Sequence, residues 1–150
     1  MGNFGSAFPR VRLAYHECIV IGILKSCFQC QSKIEWLLEQ HTSSGYLFWR
    51  AMYRCPHCGN HAQWDELGLL PSSARQTLLE QRGRFDISII YDGAEERVEV
   101  RKALRRVIGM SRDTSRALPW PRIWQGTQIE GEWLQTLLQS EGIPVTVTRV

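Results

Sequence analysis

Two Cys-x2-Cys pairs constrain this chain more than any other feature of its sequence. Cys27-Phe28-Gln29-Cys30 is followed, after 24 intervening residues, by Cys55-Pro56-His57-Cys58-Gly59. Each pair places two thiolates one tight turn apart, so both can face one ion. Together they complete a tetrahedral four-thiolate set, the closed coordination of a structural zinc ion, one per chain. Iron competes, because the same four thiolates accept it. A disulfide pair or four unrelated buried thiols are the plainer alternatives. Pro56 presets the second turn, and Gly59 suits a left-handed position beside the last sulfur. The first pair has Gln31 where that glycine would be.

The residues around the second pair read as strands. Residues 46–53 (YLFWRAMY) are rich in aromatics, and residues 60–64 (NHAQW) form a short strand leaving the turn. This pattern resembles a zinc ribbon, a hairpin pinned by its metal. Such a scaffold binds nucleic acid, binds proteins or braces a neighbour, so it fixes no function. A closed four-thiolate site has no open position and argues against zinc catalysis.

The rest of residues 1–66, the metal-holding part, is less regular. The run from Cys18 to Leu24 is apolar, is far too short for a membrane span, and suggests that Cys18 is a buried small hydrophobe. His16 is a weaker candidate ligand. Residues 33–41 (KIEWLLEQH) carry Ile34, Leu37 and Leu38 at helical spacing, with a strand as the alternative. Met1-Gly2-Asn3-Phe4-Gly5-Ser6 fits the loose myristoylation pattern, but a flexible tail is the better expectation. No signal peptide is visible, and thiols arranged as ligands suit a reducing cytoplasm.

Residues 67–83 read as a connector. Ser73 with Gln76 predicts a capping box for a helix over 74–82, and Gly83 stops it. Residues 84–150 then alternate. Residues 85–91 form a strand ended by Asp92-Gly93. Val98, Val100, Ala103, Leu104, Val107 and Ile108 give a helix stopped by Gly109. Ser111 or Asp113 starts a short helix, which Pro119-Trp120-Pro121 ends. Residues 131–140 form a helix and 143–148 a closing strand. Periodicity alone gives β-α-α-α-β, with residues 123–125 too few to assign.

That order resembles the C-terminal domain of the bacterial ribosomal large-subunit stalk protein. The similarity lies in Phe85-Asp86-Ile87 with Asp92-Gly93-Ala94, residues 97–105 (RVEVRKALR), Gly109-Met110, residues 123–126 (IWQG) and residues 134–147. It covers residues 84–149, and it implies a β-α-α-β-α-β domain with residues 123–125 as the middle strand. The expected class is therefore α+β, a small zinc ribbon followed by this domain. The resemblance also implies a non-enzymatic role, recruitment of translation GTPases through Val98, Lys102, Arg105 and Arg116. Arg101 stands where the family has an apolar contact. Ser111 and Arg112 replace a Gly and a Leu of the family's turn, and the family's dimerisation segment is replaced by the metal-binding part.

The charges support a binding surface without that resemblance. Arg97, Arg101 and Arg105 recur along one helical face with Lys102 and Arg106 beside them, and a carboxylate- or phosphate-bearing partner would relieve their repulsion. A solvated helix face is the plainer reading. Residues 1–83 carry 8 Lys/Arg against 6 Asp/Glu and residues 84–150 carry 10 against 9, net charges of +2 and +1. Neither is basic enough for tight phosphate-driven binding. Three functions remain open: a protein-interaction module associated with ribosomes or translation factors, a nucleic-acid-binding zinc ribbon, and an adaptor for an unfoldase or protease. The adaptor lacks a visible acidic pocket for a peptide amine. His57 and His61 flank the second turn as surface residues, no catalytic motif appears, and neither a membrane nor a small-molecule substrate is expected. Trp120, Trp124 and Trp133 are expected as core or interface anchors.

Overall fold

The computed structural model describes residues 18–150. His16 and the myristoylation-like hexapeptide lie outside them. The chain is α+β. Strands β1 (Cys18–Ser26), β2 (Lys33–Ser43), β3 (Tyr46–Arg54) and β4 (His61–Leu67) form one antiparallel meander in the order β1-β2-β3-β4. In a meander the first and third turns lie at the same end of the sheet. Those turns are the two Cys-x2-Cys segments, so the topology itself brings the pairs together. The second turn, at the far end, is a two-residue loop. Ser44 and Gly45 take φ of 52° and 81°, the left-handed pair that suits the twist of a tight hairpin.

Residues 33–41 are therefore strand, and the helical spacing of Ile34, Leu37 and Leu38 misleads. The segment pairs with β1 on one side and β3 on the other. Ile34, Trp36, Leu38 and Gln40 are all buried, a period of two that places them on one face. Cys18 is exposed rather than buried, because it begins a strand at the edge of the sheet.

Helix α1 (Ser72–Arg82) packs on the buried face, with Leu78 against Ile21, Leu38, Ala51 and Leu70. The expected capping box is absent. Pro71 occupies the cap and no side chain caps the first turn. Gln76 instead donates to Glu80 at 2.9 Å. Gly83, at φ 91°, ends the helix with its N–H on the Leu79 carbonyl.

The second unit runs β5 (Phe85–Ile89), α2 (Ala94–Ile108), α3 (Arg112–Arg116), β6 (Arg122–Gly126), α4 (Gln128–Ser140) and β7 (Val145–Arg149). Its sheet has the order β6-β5-β7, antiparallel throughout. The short segment around Ile123 is thus a true strand, and the element order is β-α-α-β-α-β. Nine buried residues form its core, among them Ile87, Leu104, Ile123, Leu134 and Leu138. Ser111 caps α3 by accepting the Thr114 N–H at 3.1 Å. Helix α4 starts three residues before Gly131, the expected start. Thr127 and Glu130 make the capping box there. Gly131 faces the sheet instead: a Cβ there would meet Val147 Cγ1 at 2.8 Å.

A buried polar junction links β2, α1, β6 and α4. Glu130 is fully buried. Arg75 donates to both its carboxylate oxygens, at 2.9 and 2.6 Å, and also to the Gln125 carbonyl at 2.8 Å. Gln40 donates to Glu130 at 3.2 Å and accepts from Thr127 at 2.5 Å, while Trp124 donates to Glu130 at 3.2 Å. A buried carboxylate is tolerable when paired and hydrogen-bonded in this way.

Candidate metal centre

Each cysteine pair is shaped by a turn built from its own backbone. In the first, the Gln31 N–H donates to the Cys27 carbonyl at 3.0 Å, and the Cys27 N–H to the Ser32 carbonyl at 2.9 Å. The second repeats the pattern: Gly59 N–H to Cys55 carbonyl at 3.0 Å, Cys55 N–H to Asn60 carbonyl at 2.7 Å. Gln31 and Gly59 hold equivalent left-handed positions, at φ 61° and 76°. The first turn thus adopts the conformation of the second without its glycine, at a strain cost of about 1–2 kcal/mol.

The four sulfur atoms converge. All lie within 4.8 Å of one another. Cys27 and Cys58 approach to 3.6 Å, as do Cys30 and Cys55. A tetrahedron with metal–sulfur bonds near 2.3 Å needs sulfurs about 3.8 Å apart. The cluster can therefore hold one metal ion, and its geometry and donor set fit zinc. The same set fits iron, so geometry leaves the choice between the two metals open. Cys27 and Cys55 are buried, and Cys30 and Cys58 form the outer rim. None of the four is in a disulfide.

The thiols are electrostatically uneven. N–H groups of Cys30 and Gln29 point at the Cys27 sulfur and lower its pKa to about 6, against burial. The Ser32 hydroxyl and N–H lower that of Cys30. The Asn60 N–H favours the Cys58 thiolate, but burial and the other three thiols push Cys58 up to about 12. Four thiolates cannot crowd together without a cation, which is the physical reason such a cluster takes a divalent metal.

Sequence reasoning missed the support around the sulfurs. Asn60 donates to the Tyr53 hydroxyl at 2.6 Å and lies 4.0 Å from the Cys27 sulfur. Tyr53 stacks on Trp36 with centroids 4.9 Å apart, and Trp36 on Trp64 at 5.2 Å. Phe28, inside the first pair, meets Trp36 edge-on at 5.3 Å. The only sequence signal was the aromatic richness of the strands. His57 and His61 are exposed and stand outside the cluster.

The expected partner-binding residues lie in the second unit, away from the sulfurs in sequence. Val98 is exposed at 44%. Lys102 pairs with Glu99 at 2.9 Å, on the surface. Arg105 and Arg116 make no ion pair among the described residues. Arg101 is committed inward: it donates to the Ser115 carbonyl at 3.2 Å and covers the Trp120 ring at 5.4 Å. Arg97 shares that ring and also binds Asp92. The three tryptophans serve separate contacts. Trp124 donates to Glu130, Trp133 donates to the Gly45 carbonyl at 3.0 Å, and Trp120 lies under the two arginines.

No helix among the described residues is long and apolar enough to cross a membrane. Comparison with protein-family models, curated proteins and solved structures finds no match. The chain is an α+β protein with a four-cysteine centre on an antiparallel sheet, followed by helices and a second small sheet.

Proposed function

We propose that this protein is a non-enzymatic, zinc-binding module that captures a protein partner through α2 and α3. The observation that carries the reading is an exposed apolar residue, Val98, on the same helical face as Lys102 and Arg105, with Arg105 and Arg116 lacking carboxylate partners among the described residues. Apolar centres hold complexes and rim charges steer encounter, so an acidic protein surface is the complement. The Arg101 bond to Ser115 ties α3 to α2 and fixes the face that Arg116 extends. Arg101 itself is a positioning residue in this reading. The resemblance to the stalk domain names a translation GTPase or a ribosomal component as the partner. The four thiols, held as metal ligands, suit a reducing compartment such as the cytoplasm.

Capture from nuclease-treated extract tests this. Reversing Lys102 and Arg105 to Glu abolishes capture and leaves the zinc content and circular dichroism unchanged. Val98→Ala weakens a protein interface by about 1 kcal/mol or more, and it leaves phosphate contacts nearly untouched. Capture that survives both changes places the interface elsewhere.

A further inference from the structure

The outer edge of the first sheet has a different chemistry. Among the described strands, β1 pairs with β2 alone. The Val20 carbonyl accepts from Arg82 at 2.7 Å and the Gly22 carbonyl from Gln81 at 3.4 Å, so both point away from β2. In an antiparallel ladder the N–H of such a residue points the same way. The N–H groups of Val20, Gly22 and Leu24 therefore line the edge, and no acceptor takes them among the described residues. Two hollows of about 360 and 480 Å³ run between this edge and α1, and both are lined by Gln81. Arg82 and Arg149 line the first and Lys25 the second, and neither lining contains a carboxylate. The Arg149 guanidinium lies against Gly83, where a Cβ would meet it at 3.2 Å, and so stands beside Arg82. None of the three cations makes an ion pair among the described residues. Glu35 and Glu39 stand opposite Leu24 and Val20 on β2, on the face turned away from Ile21 and α1. On that face Val20 and Leu24 are exposed at 39% and 78%.

We propose that this edge takes an extended segment of a partner protein as a further strand, one whose side chains alternate between acidic and apolar. The N–H groups of Val20, Gly22 and Leu24 donate to the segment's carbonyls. The segment's own N–H groups replace Gln81 and Arg82 on the Gly22 and Val20 carbonyls, which frees the Arg82 guanidinium to join Arg149. Side chains of an added strand point alternately to the two faces. Those on the α1 side meet Arg82, Arg149 and Lys25, and three cations without a carboxylate select acidic residues there. Those on the other side lie beside Val20 and Leu24, which select apolar residues. An open edge invites such pairing unless it is covered, and here two displaceable side chains are its cover. The edge belongs to the first unit, and neither this proposal nor the one for the α2–α3 face depends on the other.

The test is fluorescence anisotropy of a labelled peptide of alternating valine and glutamate, about seven residues long to match the strand, titrated with the zinc-loaded full chain. Saturable binding is expected. The valine–lysine peptide of the same length should not bind, and N-methylation of alternate amides in the valine–glutamate peptide should abolish its binding. Arg82→Gln with Arg149→Gln should weaken it at least about tenfold, the value of a lost charged contact. Val20→Pro removes one outward N–H and leaves the ladder to β2 intact, as proline allows on an edge strand, and should weaken binding several-fold. Should Val20→Pro disturb the sheet, as circular dichroism would show, the arginine pair and the N-methylated peptide carry the test. Absence of saturation at millimolar concentration overturns the proposal. So does binding that survives N-methylation, that the valine–lysine peptide equals, or that the arginine variant leaves unchanged. Dimerisation of the chain that Val20→Pro abolishes, without peptide binding, also overturns it and assigns the edge to a second copy.

Discussion

The two sheets of this protein are held together by different means. The second unit has a conventional apolar core: nine buried residues between one sheet and its helices, centred on Ile87, Leu104 and Leu138. The first has two smaller clusters, and one of them includes the ligands Cys27 and Cys55 beside Ile34, Trp36 and Tyr53. Its buried residues are divided between two clusters of five instead of being gathered into one core. A metal held by the four cysteines would tie the second cluster to the two turns, and the stack of Tyr53, Trp36 and Trp64 would carry that constraint into β2, β3 and β4. On that reading one chain would reach stability by two routes, one through ligand chemistry and one through packing.

The largest way to break that contrast is to remove the ligands. Structural zinc contributes roughly 10–16 kcal/mol of apparent binding free energy that is also folding free energy. Cys27→Ser with Cys55→Ser should abolish metal binding and unfold the first sheet, read by elemental analysis and circular dichroism. Acid should act the same way, because protonating the thiolates expels the metal. Retention of a full metal equivalent by the double variant would remove the site from the account.

The polar junction ranks next. Arg75→Ala strips Glu130 of its paired charge while leaving it buried, and stability should fall by about 3–5 kcal/mol. Because the junction joins β2 and α1 to β6 and α4, thermal melting should show both units affected. An effect confined to one of them would show that the units do not share this contact energetically. Leu104→Ala probes the packed core alone and should cost about 2–5 kcal/mol while the metal content stays at one equivalent.

A smaller effect compares the two cysteine turns directly. Gln31→Gly should relieve left-handed strain and stabilise the first unit by up to about 1 kcal/mol, read as a rise in its melting temperature. The smallest concerns acid sensitivity. Hydrogen bonding from Arg97 holds the Asp92 carboxyl below its usual range. Its contribution is therefore complete above the unfolded value near 3.9 and is lost as pH falls through the lower folded value. Asp92→Asn should flatten the stability profile of the second unit below about pH 4, where the native carboxyl begins to protonate in the unfolded chain.

What the sequence disclosed follows the range of each interaction. The four ligands were readable because ligand spacing is local. So were the caps at Gly83, Gly109 and Ser111. The strand β2 was ambiguous because Ile34-Leu37-Leu38 fits a helix while Ile34-Trp36-Leu38 fits a strand, and pairing with β1 and β3 decides between them. The start of α4 was missed: the apolar spacing suggested Gly131, whereas the capping box of Thr127 and Glu130 begins the helix at Gln128. The Cys18 run is apolar, but its edge position leaves that thiol exposed. Neither the Gln31 conformation nor the Gln40–Glu130 contact, 90 residues apart, has any local signature.

A metal bound at the four cysteines would be what keeps the first sheet folded, since its two apolar clusters are each smaller than the core of the second unit. Chelator titration followed by amide-resolved NMR tests it most directly. Signals from residues 18–67 should collapse to unfolded positions as metal leaves, while those from residues 85–149 remain dispersed, because their core holds no ligand. Dispersed signals from residues 18–67 after complete removal of the metal, or simultaneous collapse of both sets, would contradict the account.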